Sequence, residues 1–510
     1  MLPGFTSAAG PAAAPRGRKV RSVSRAAAAP PGAGASGATS RRKAVGGIQR
    51  VLLIRPRRNT PTAMLMQPLG LLYLASYIRR HGDVDVRVID MAPDRMRYDD
   101  LPEQIRSCRP DLIGVSALTF ESQGLHRIAA IARGIDPGIT VTAGGAHPTA
   151  YTREVMQDRN IDFAVLGEGE LTLDALLRAL RTGAPAAGID GLASRLNGEV
   201  RTVPRRRYVR DLDSLPFPAW DLIDLSRYRS FDRMSRCGTG RYMVLFSTRG
   251  CPFECLYCHK VFGKEFRKRS PENVLAEIRA LYTRHGVREF EVVDDIFNCD
   301  LPRAKRIFQM IADSGMDITL TFPNGVRGDR LDDEFLAKAR RAGTVFMSFA
   351  VETATPRLQK MLRKNIDLQK ISRNIALARK NGIMCLGFFM LGFPTETREE
   401  LQATIDFAVR SDLHAATMFV VNPFEGTGLA DLARTMGKPV LSSFDENYLT
   451  RGCTNMTDLP DRELLRIRRK GLLRFWLRPS RIAALVRDYP CPSRLPALLG
   501  VLLRRMLFRA

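Results

Sequence analysis

The sequence contains no long uninterrupted apolar run. Its longest candidate, residues 495–503, is about half of the roughly 18 residues that a membrane-spanning helix needs, so no transmembrane helix is predicted. Residues 1–47 also lack the apolar core of a secretory signal. Cysteine is scarce: nine in a chain of 510 do not suggest a disulfide scaffold, and the clustering of three of them indicates a reducing compartment. We therefore expect a cytoplasmic protein.

Acidic residues are missing from the first fifty positions, which carry nine lysines and arginines. The last fifty carry thirteen basic and three acidic residues, so the two ends supply +19 of the net charge of +26 and the 410 residues between them +7. Neither end interleaves aromatic residues with a flexible basic tract, and no nucleic acid partner is predicted. The C-terminal end mixes arginines with Leu, Phe and Trp, which fits either peripheral membrane contact or helices docked on the rest of the chain.

Composition and periodicity divide the chain into five segments. A tail without apolar periodicity cannot bury enough surface to offset its ordering entropy, so we expect it to be disordered. Strands then alternate with helices, which predicts an α/β, doubly wound parallel sheet. Beyond a Pro-rich connector, six β/α units predict an open, partial (β/α)6 barrel. The predicted segments are the basic tail (1–47), the doubly wound domain (48–185), the connector (186–240), the barrel domain (241–430) and a basic helical C-terminal region (431–510).

Three cysteines stand within eight residues, at Cys251, Cys255 and Cys258, in the spacing C-x3-C-x2-C. Thiolates this close can converge on one metal centre, and soft sulfur ligands select iron–sulfur clusters or zinc. A structural zinc site needs a fourth ligand, and His259 is poorly spaced to supply one because it is adjacent to Cys258. The pattern therefore indicates a metal centre with an open position; the alternative is three incidental cysteines.

This motif, with Tyr257 just before the third cysteine, resembles the radical S-adenosylmethionine (SAM) superfamily. The resemblance implies a [4Fe-4S] cluster on the three cysteines, with an open iron that chelates the amino and carboxylate groups of SAM. It implies that one electron from the cluster breaks the sulfonium bond, and that the resulting 5′-deoxyadenosyl radical removes a hydrogen atom from the substrate. It also implies an electron donor such as flavodoxin or ferredoxin.

Polar residues and glycines gather where the predicted barrel strands end, which is the active face of such barrels. By resemblance, Asp294 and Asp295 occupy the place where the family contacts the SAM amino group, Glu352 lies near the ribose, and Gly392 belongs to the strand beside the adenine. This is chemically reasonable, because an ammonium favours a carboxylate and an adenine favours backbone groups and an aromatic ring such as Tyr257.

The doubly wound domain carries Ser116, Gly144 and Gly145 after predicted strands, where such sheets bind ligands. A glycine pair there lets the backbone approach a bulky ligand, although simple turn glycines are the alternative. With residues 68–76, 147–149 and 167–172, these positions resemble the cobalamin-binding domain of one large radical SAM class. The Asp-x-His-x-x-Gly motif, whose histidine ligates cobalt in many cobalamin proteins, is absent after the second predicted strand, so we expect cobalamin to bind without that histidine.

These features lead us to expect a cobalamin-dependent radical SAM enzyme, with methylation of an unactivated carbon of a small-molecule or lipid-like substrate as the first choice. A radical SAM cyclase, oxidase or rearrangement enzyme acting on a lipid or tetrapyrrole-like substrate is the alternative. A non-catalytic corrinoid or iron–sulfur carrier is disfavoured, because a carrier does not need the acidic residues at the strand ends. The sequence does not identify the substrate.

Overall fold

The computed structural model describes residues 47–57, 66–93, 96–228, 233–440 and 455–500. Nearly all of the tail predicted to be disordered, residues 1–46, lies outside them, as do Cys453 and the last ten residues of the C-terminal region. No helix in the described ranges has the length and apolar character needed to cross a bilayer.

The first domain is a seven-stranded sheet in the order β2-β1-β3-β4-β5-β6-β7, parallel from β1 to β5. Helices pack on both faces, and two hydrophobic clusters fill the space between them and the sheet. The interior strand β1 is buried over Val51–Ile54, as a parallel strand covered on both faces requires. Its elements are β1 (Arg50–Arg55), α1 (Leu69–His81), β2 (Asp85–Asp90), α2 (Leu101–Cys108), β3 (Leu112–Ser116), α3 (Ser122–Ile135), β4 (Thr140–Gly144), α4 (Ala146–Ala150), α5 (Thr152–Val155), β5 (Phe163–Val165), α6 (Glu170–Thr182), β6 (Leu192–Leu196) and β7 (Glu199–Thr202).

The strands β6 and β7 fall in the segment interpreted as a connector. They form an antiparallel hairpin that pairs with β5 and extends the first sheet. The turn between them is Asn197-Gly198, with Asn197 at φ +52°. Asn-Gly is the pair of residues that a two-residue hairpin turn favours, so the sequence carried a local signal for this hairpin although its composition suggested a strap.

The second sheet has six parallel strands in the order β15-β14-β13-β12-β11-β8, so neighbouring strands follow one another along the chain. Helices between them cover one face, as in an open (β/α)6 barrel, and the predicted α/β fold class is confirmed. Helix α7 illustrates the local signals: Ser270 caps its start, Pro271 is its first residue and Gly286 ends it. The elements are β8 (Tyr242–Leu245), β9 (Thr248–Arg249), β10 (Arg267–Lys268), α7 (Pro271–His285), β11 (Glu289–Val292), α8 (Leu301–Asp313), β12 (Thr319–Val326), α9 (Asp333–Arg341), β13 (Thr344–Glu352), α10 (Pro356–Met361), α11 (Leu368–Lys380), β14 (Met384–Leu391), α12 (Arg398–Arg410), β15 (Ala415–Val420), α13 (Gly428–Thr435), α14 (Asp461–Trp476) and α15 (Pro479–Asp488).

The basic C-terminal helices α14 and α15 dock on the barrel. Arg468 donates a hydrogen bond to the Met418 carbonyl at 2.7 Å, and Arg481 donates one to the Ser411 carbonyl at 3.1 Å. Both arginines are buried. Part of the C-terminal positive charge therefore ties helices to the barrel instead of facing solvent.

Candidate active site

The three cysteines lie in the loop 250–266, which we call the cluster loop. The short antiparallel strands β9 and β10 form its base. Two backbone hydrogen bonds hold the middle of the loop. The Leu256 N–H donates to the Leu362 carbonyl at 2.9 Å, and the Leu256 carbonyl accepts from the Leu429 N–H at 2.9 Å. Backbone hydrogen bonds on both sides fix the loop between the end of α10 and the start of α13.

Cys251, Cys255 and Cys258 are all unpaired and half-buried. Burial, with the nearby Asp295 carboxylate and neighbouring thiols, raises the pKa of Cys258 to about 12, and burial and Asp295 also raise the pKa of Cys251. Such a group of acidic and thiol side chains favours a cationic centre among them. Within the described ranges, no three His, Cys, Asp or Glu side chains could hold a single metal ion. A cubane does not require this, because its cysteines bind different irons; the donor set fits a [4Fe-4S] cluster.

The two predicted aspartates differ in their surroundings. Asp294 is buried and accepts hydrogen bonds from the Ser247 backbone N–H at 2.6 Å and from its hydroxyl at 2.5 Å. Asp295 lies beside the cluster loop, with an oxygen 3.7 Å from Nε2 of His259. Burial raises the pKa of both carboxyls. Asp294 thus fixes the end of β11 within the barrel, and Asp295 is the one of the pair that lies beside the cysteines.

Glu352, at the end of β13, has a left-handed backbone with φ +68°. It is buried, and Tyr257 is a neighbour of its carboxylate. Nζ of Lys364 lies 3.5 Å from that carboxylate and 5.9 Å from the centroid of the Tyr257 ring. Burial raises the pKa of Glu352, while Lys364 opposes the shift. A strained, buried carboxylate with a lysine and a tyrosine is the kind of arrangement found at functional sites.

Lys364 was missed by the sequence analysis. It belongs to no motif quoted above, and only the fold shows that it reaches the carboxylate from twelve positions further along the chain. The backbone on either side of Lys364 is unusual in the structure, because Arg363 and Asn365 both have positive φ, at +53° and +47°. Non-glycine residues in this region are uncommon, but the sequence does not reveal them in advance.

Gly392 lies at the end of β14, beside the aromatic residues of the site. Its N–H donates to Glu396 at 2.6 Å, and the Phe393 N–H donates to the same oxygen at 3.0 Å. The Phe393 ring is 6.1 Å from the Tyr257 ring, at an interplanar angle of 50°. Burial raises the pKa of Glu396 to about 8 despite these two hydrogen bonds. Tyr257, Glu352 and Gly392 therefore lie around one edge of the barrel.

The structure also brings the three predicted cobalamin residues together. Ser116 and Gly144 are direct partners at the ends of β3 and β4. Gly145 has φ +95°, and a Cβ there would lie 2.8 Å from the Ala117 carbonyl oxygen and 2.9 Å from Oγ of Ser116. No other residue fits this position without displacement, which is the property expected of a backbone cradle.

His147 follows this cradle and is fully buried. Neither of its ring nitrogens has a hydrogen-bond partner within the part of the chain that the structure describes. Burial lowers its pKa to about 4, so the ring is neutral at pH 7. A buried, neutral, unpaired imidazole beside a glycine cradle at the ligand edge of the sheet fits a bound polar cofactor, and the residues are compatible with cobalamin.

Comparison with known proteins identifies both domains. Residues 245–408 match the Radical SAM superfamily model, and residues 60–177 match the B12 binding domain model. The chain is 32% identical over 443 residues to an uncharacterized methyltransferase of Pyrococcus horikoshii, covering 85% of this chain and 94% of the relative. It is 27% identical over 402 residues to the anaerobic magnesium-protoporphyrin IX monomethyl ester cyclase of Rubrivivax gelatinosus, covering 77% and 70%.

Among solved structures, the fold is similar to that of the radical S-adenosylmethionine methyltransferase TsrM from Kitasatospora setae, with cobalamin and a [4Fe-4S] cluster bound. The TM-score is 0.64 at 21% identity, and the match covers 76% of this chain and 78% of the other. The two domain matches imply a [4Fe-4S] cluster, SAM and cobalamin as cofactors. The chain belongs to the radical SAM superfamily, in the cobalamin-dependent class in which a B12-binding domain precedes the cluster domain.

Proposed function

We propose that this protein is a methyltransferase that acts on an unactivated carbon of a small molecule. The observation that carries the proposal is the presence, on one chain, of a glycine cradle with an unpaired buried imidazole and of a three-cysteine loop beside a buried carboxylate–lysine pair. The similarity to a methyltransferase along 94% of its length supports the same conclusion. When bound, the cofactors would supply one-electron cleavage of SAM and a transferable methyl group.

The residues of the chain would bind, orient and shield these groups. Cys251, Cys255 and Cys258 would hold the cluster. Asp295, beside the cluster loop, would accept a hydrogen bond from the SAM ammonium, and Glu352, beside Tyr257, would accept one from the ribose hydroxyls. The backbone at Gly392 and the ring of Tyr257 would face the adenine.

Ser116, Gly144 and Gly145 would hold cobalamin from the first domain. Gly145 would keep this turn in its left-handed conformation, because any side chain there would collide with Ala117 and Ser116. Asp90, which stands where the cobalt-ligating motif would begin, is already engaged: it pairs with Arg55 at 2.8 Å and accepts a hydrogen bond from the Tyr228 hydroxyl at 2.5 Å. This supports binding of cobalamin without a lower histidine from that segment.

The proposal is tested with protein reconstituted anaerobically with iron, sulfide and cobalamin, and supplied with a low-potential reductant and SAM carrying a deuterated methyl group. Extracts of the source cells provide candidate substrates. We expect release of 5′-deoxyadenosine together with a product that contains the deuterated methyl, and loss of both in the Cys255→Ala variant. Release of 5′-deoxyadenosine without any labelled product would contradict methylation.

Cyclisation or oxidation of a tetrapyrrole-like substrate is a second candidate, favoured by the similarity to the magnesium-protoporphyrin cyclase. The same assay separates the two, because a cyclase product gains no deuterium from SAM. An electron donor such as flavodoxin or ferredoxin would be required in either case, and we place both activities in the cytoplasm.

A lipid-like substrate and peripheral membrane contact are a further part of this proposal. On and beside α15, Leu477, Ile482 and Val486 are 65%, 43% and 45% exposed, and basic side chains near an anionic surface contribute on the order of 1 kcal/mol each. Co-sedimentation with anionic vesicles at low salt is the test, with neutral vesicles as the control. If the protein stays in the supernatant with both kinds of vesicle, these helices only pack against the barrel and do not bind membranes.

A further inference from the structure

The base of the cluster loop carries an arginine on each strand. Arg249 in β9 and Arg267 in β10 are direct partners in the antiparallel pair. Their side chains are only 6% and 2% exposed. Like charges directly opposite each other on neighbouring strands are destabilising, and burial makes unpaired charges costlier. The hairpin that carries the cysteines therefore needs carboxylates from elsewhere.

Both carboxylates come from the first domain. Glu168 and Glu170 lie at the junction of β5 and α6, at the same edge of the sheet as the glycine cradle. Arg249 donates a hydrogen bond to Glu170 at 2.7 Å and lies 3.5 Å from Glu168, and Arg267 lies 2.5 Å from Glu168. The glutamates are 1% and 5% exposed. Two positive and two negative charges thus balance in a buried group, which we call the four-charge cluster.

Aromatic rings and backbone groups complete the enclosure of the arginines. The Arg249 guanidinium lies 5.2 Å from the centroid of the Tyr73 ring, and that of Arg267 lies 4.9 Å from the Tyr208 ring. Arg267 also donates to the Val209 carbonyl at 2.9 Å. Since Tyr73, Tyr208 and Val209 all precede the barrel in the chain, the base of the cluster loop is surrounded mainly by residues from outside the barrel.

The two domains are also joined elsewhere. Nε2 of Gln67 donates to the Tyr242 carbonyl at 2.9 Å, and the Tyr151 hydroxyl lies 3.4 Å from the backbone nitrogen of Glu425. These contacts do not involve the cluster loop. Loss of the four-charge cluster should therefore loosen the base of the loop while the domains stay docked.

We propose that Glu168, Glu170, Arg249 and Arg267 are positioning residues that hold the base of the cluster loop against the cobalamin-binding edge of the first domain. The three cysteines lie on a loop whose two ends are fixed by carboxylates of that domain. Together with the backbone hydrogen bonds of Leu256, this buried charge group would set the placement of the iron–sulfur cluster relative to cobalamin. The inference applies whichever reaction the chain catalyses, so it does not depend on methylation.

The test compares Glu170→Gln with Glu289→Gln in protein reconstituted with both cofactors. Glu289 forms a partly buried ion pair with Arg233, at 2.5 Å, but belongs to β11 and does not contact the cluster loop. We expect peptides covering residues 250–266 to exchange amide hydrogen at least tenfold faster in Glu170→Gln than in the parent, and the electron paramagnetic resonance spectrum of the reduced cluster to shift. Glu289→Gln should lower thermal stability without either change.

Unchanged exchange of the cluster loop in Glu170→Gln would overturn the proposal, and so would equal changes in both variants, since these would indicate general destabilisation. Glu170→Asp keeps the charge with a shorter side chain and should give exchange rates between those of the parent and the glutamine variant. If Glu170→Gln does not fold, Glu170→Asp carries the test, and parent-like exchange and resonance spectra in a folded Glu170→Asp would then overturn the proposal. None of these measurements requires the substrate.

Discussion

Gly250, immediately before the first cysteine, provides the sharpest test of how the cluster loop is built. Its φ is +80°, and a Cβ at this position would lie 2.2 Å from the Glu265 carbonyl oxygen on the opposite side of the loop. Gly250→Ala therefore imposes two costs. A left-handed alanine costs about 1–2 kcal/mol, and relieving contact with a backbone atom adds about 1–3 kcal/mol of overpacking strain. The loop ends must also move apart to restore an ordinary contact distance, which would open the base of the cysteine loop.

Gly315→Ala is the matched control. Gly315 has a similar φ of +67°, lies between α8 and β12, and has no atom within 4 Å of the point that an added Cβ would occupy. It should show the backbone cost alone, which corresponds to a fall in melting temperature of roughly 2–8 °C. We expect Gly250→Ala to lose more stability than this and to retain little iron after anaerobic reconstitution, measured by iron and sulfide content. Parent-like iron content in Gly250→Ala, with a melting temperature equal to that of Gly315→Ala, would refute the reasoning.

Three further predictions concern the site. Lys364→Met leaves Glu352 without the cation 3.5 Å away, and we expect the affinity for SAM, measured by equilibrium dialysis, to fall at least about tenfold, or 1.4 kcal/mol. The control Lys338→Met, on α9, should leave the affinity unchanged. Equal affinities of the two variants would contradict this role of Lys364. The pKa of Glu396 is about 8 in the fold, above its ordinary value of 4.5, so the stability it contributes is full below pH 4.5 and is lost as the pH rises through about 8. In Glu396→Gln the melting temperature should therefore depend less on pH between pH 5 and 9. An unchanged pH dependence would argue against the shift. Alanine at Cys251, Cys255 or Cys258 should abolish the cluster absorption, whereas Cys385→Ala and Cys299→Ala should retain it; loss in Cys299→Ala would mean that the ligand set is wrong.

Much of the fold was predictable because the signals were local. The strands of both sheets are short apolar runs, such as Leu112–Ser116, separated by amphipathic helices with ordinary caps. The hairpin Leu192–Thr202 was the main omission. Its Asn197-Gly198 turn is a local signal too, but its strands are polar, and the segment lies next to a Pro-rich stretch that reads as irregular.

The site was less predictable because its charges come from distant parts of the chain. Glu170 and Arg249 are 79 positions apart, and their hydrogen bond exists only once the two domains are docked. The Asp294-Asp295 pair shows a second limit. Adjacent residues at a strand end point in different directions, so one side chain binds Ser247 inside the barrel while the other lies beside the cysteines. Sequence spacing placed the pair correctly at the strand end but could not assign separate roles to its members.

Backbone strain is concentrated near the carboxylate–lysine pair of Glu352 and Lys364. Seven non-glycine residues in the described ranges have positive φ, and four of them, Glu352, Arg363, Asn365 and Thr395, lie in the two segments that follow β13 and β14. Each such residue costs on the order of 1–3 kcal/mol and persists only where the surroundings enforce it. The strained residues are grouped around the carboxylate–lysine pair and the Gly392 loop. These positions lie where the SAM-binding residues were expected, and we interpret the strain there as serving to orient a bound molecule.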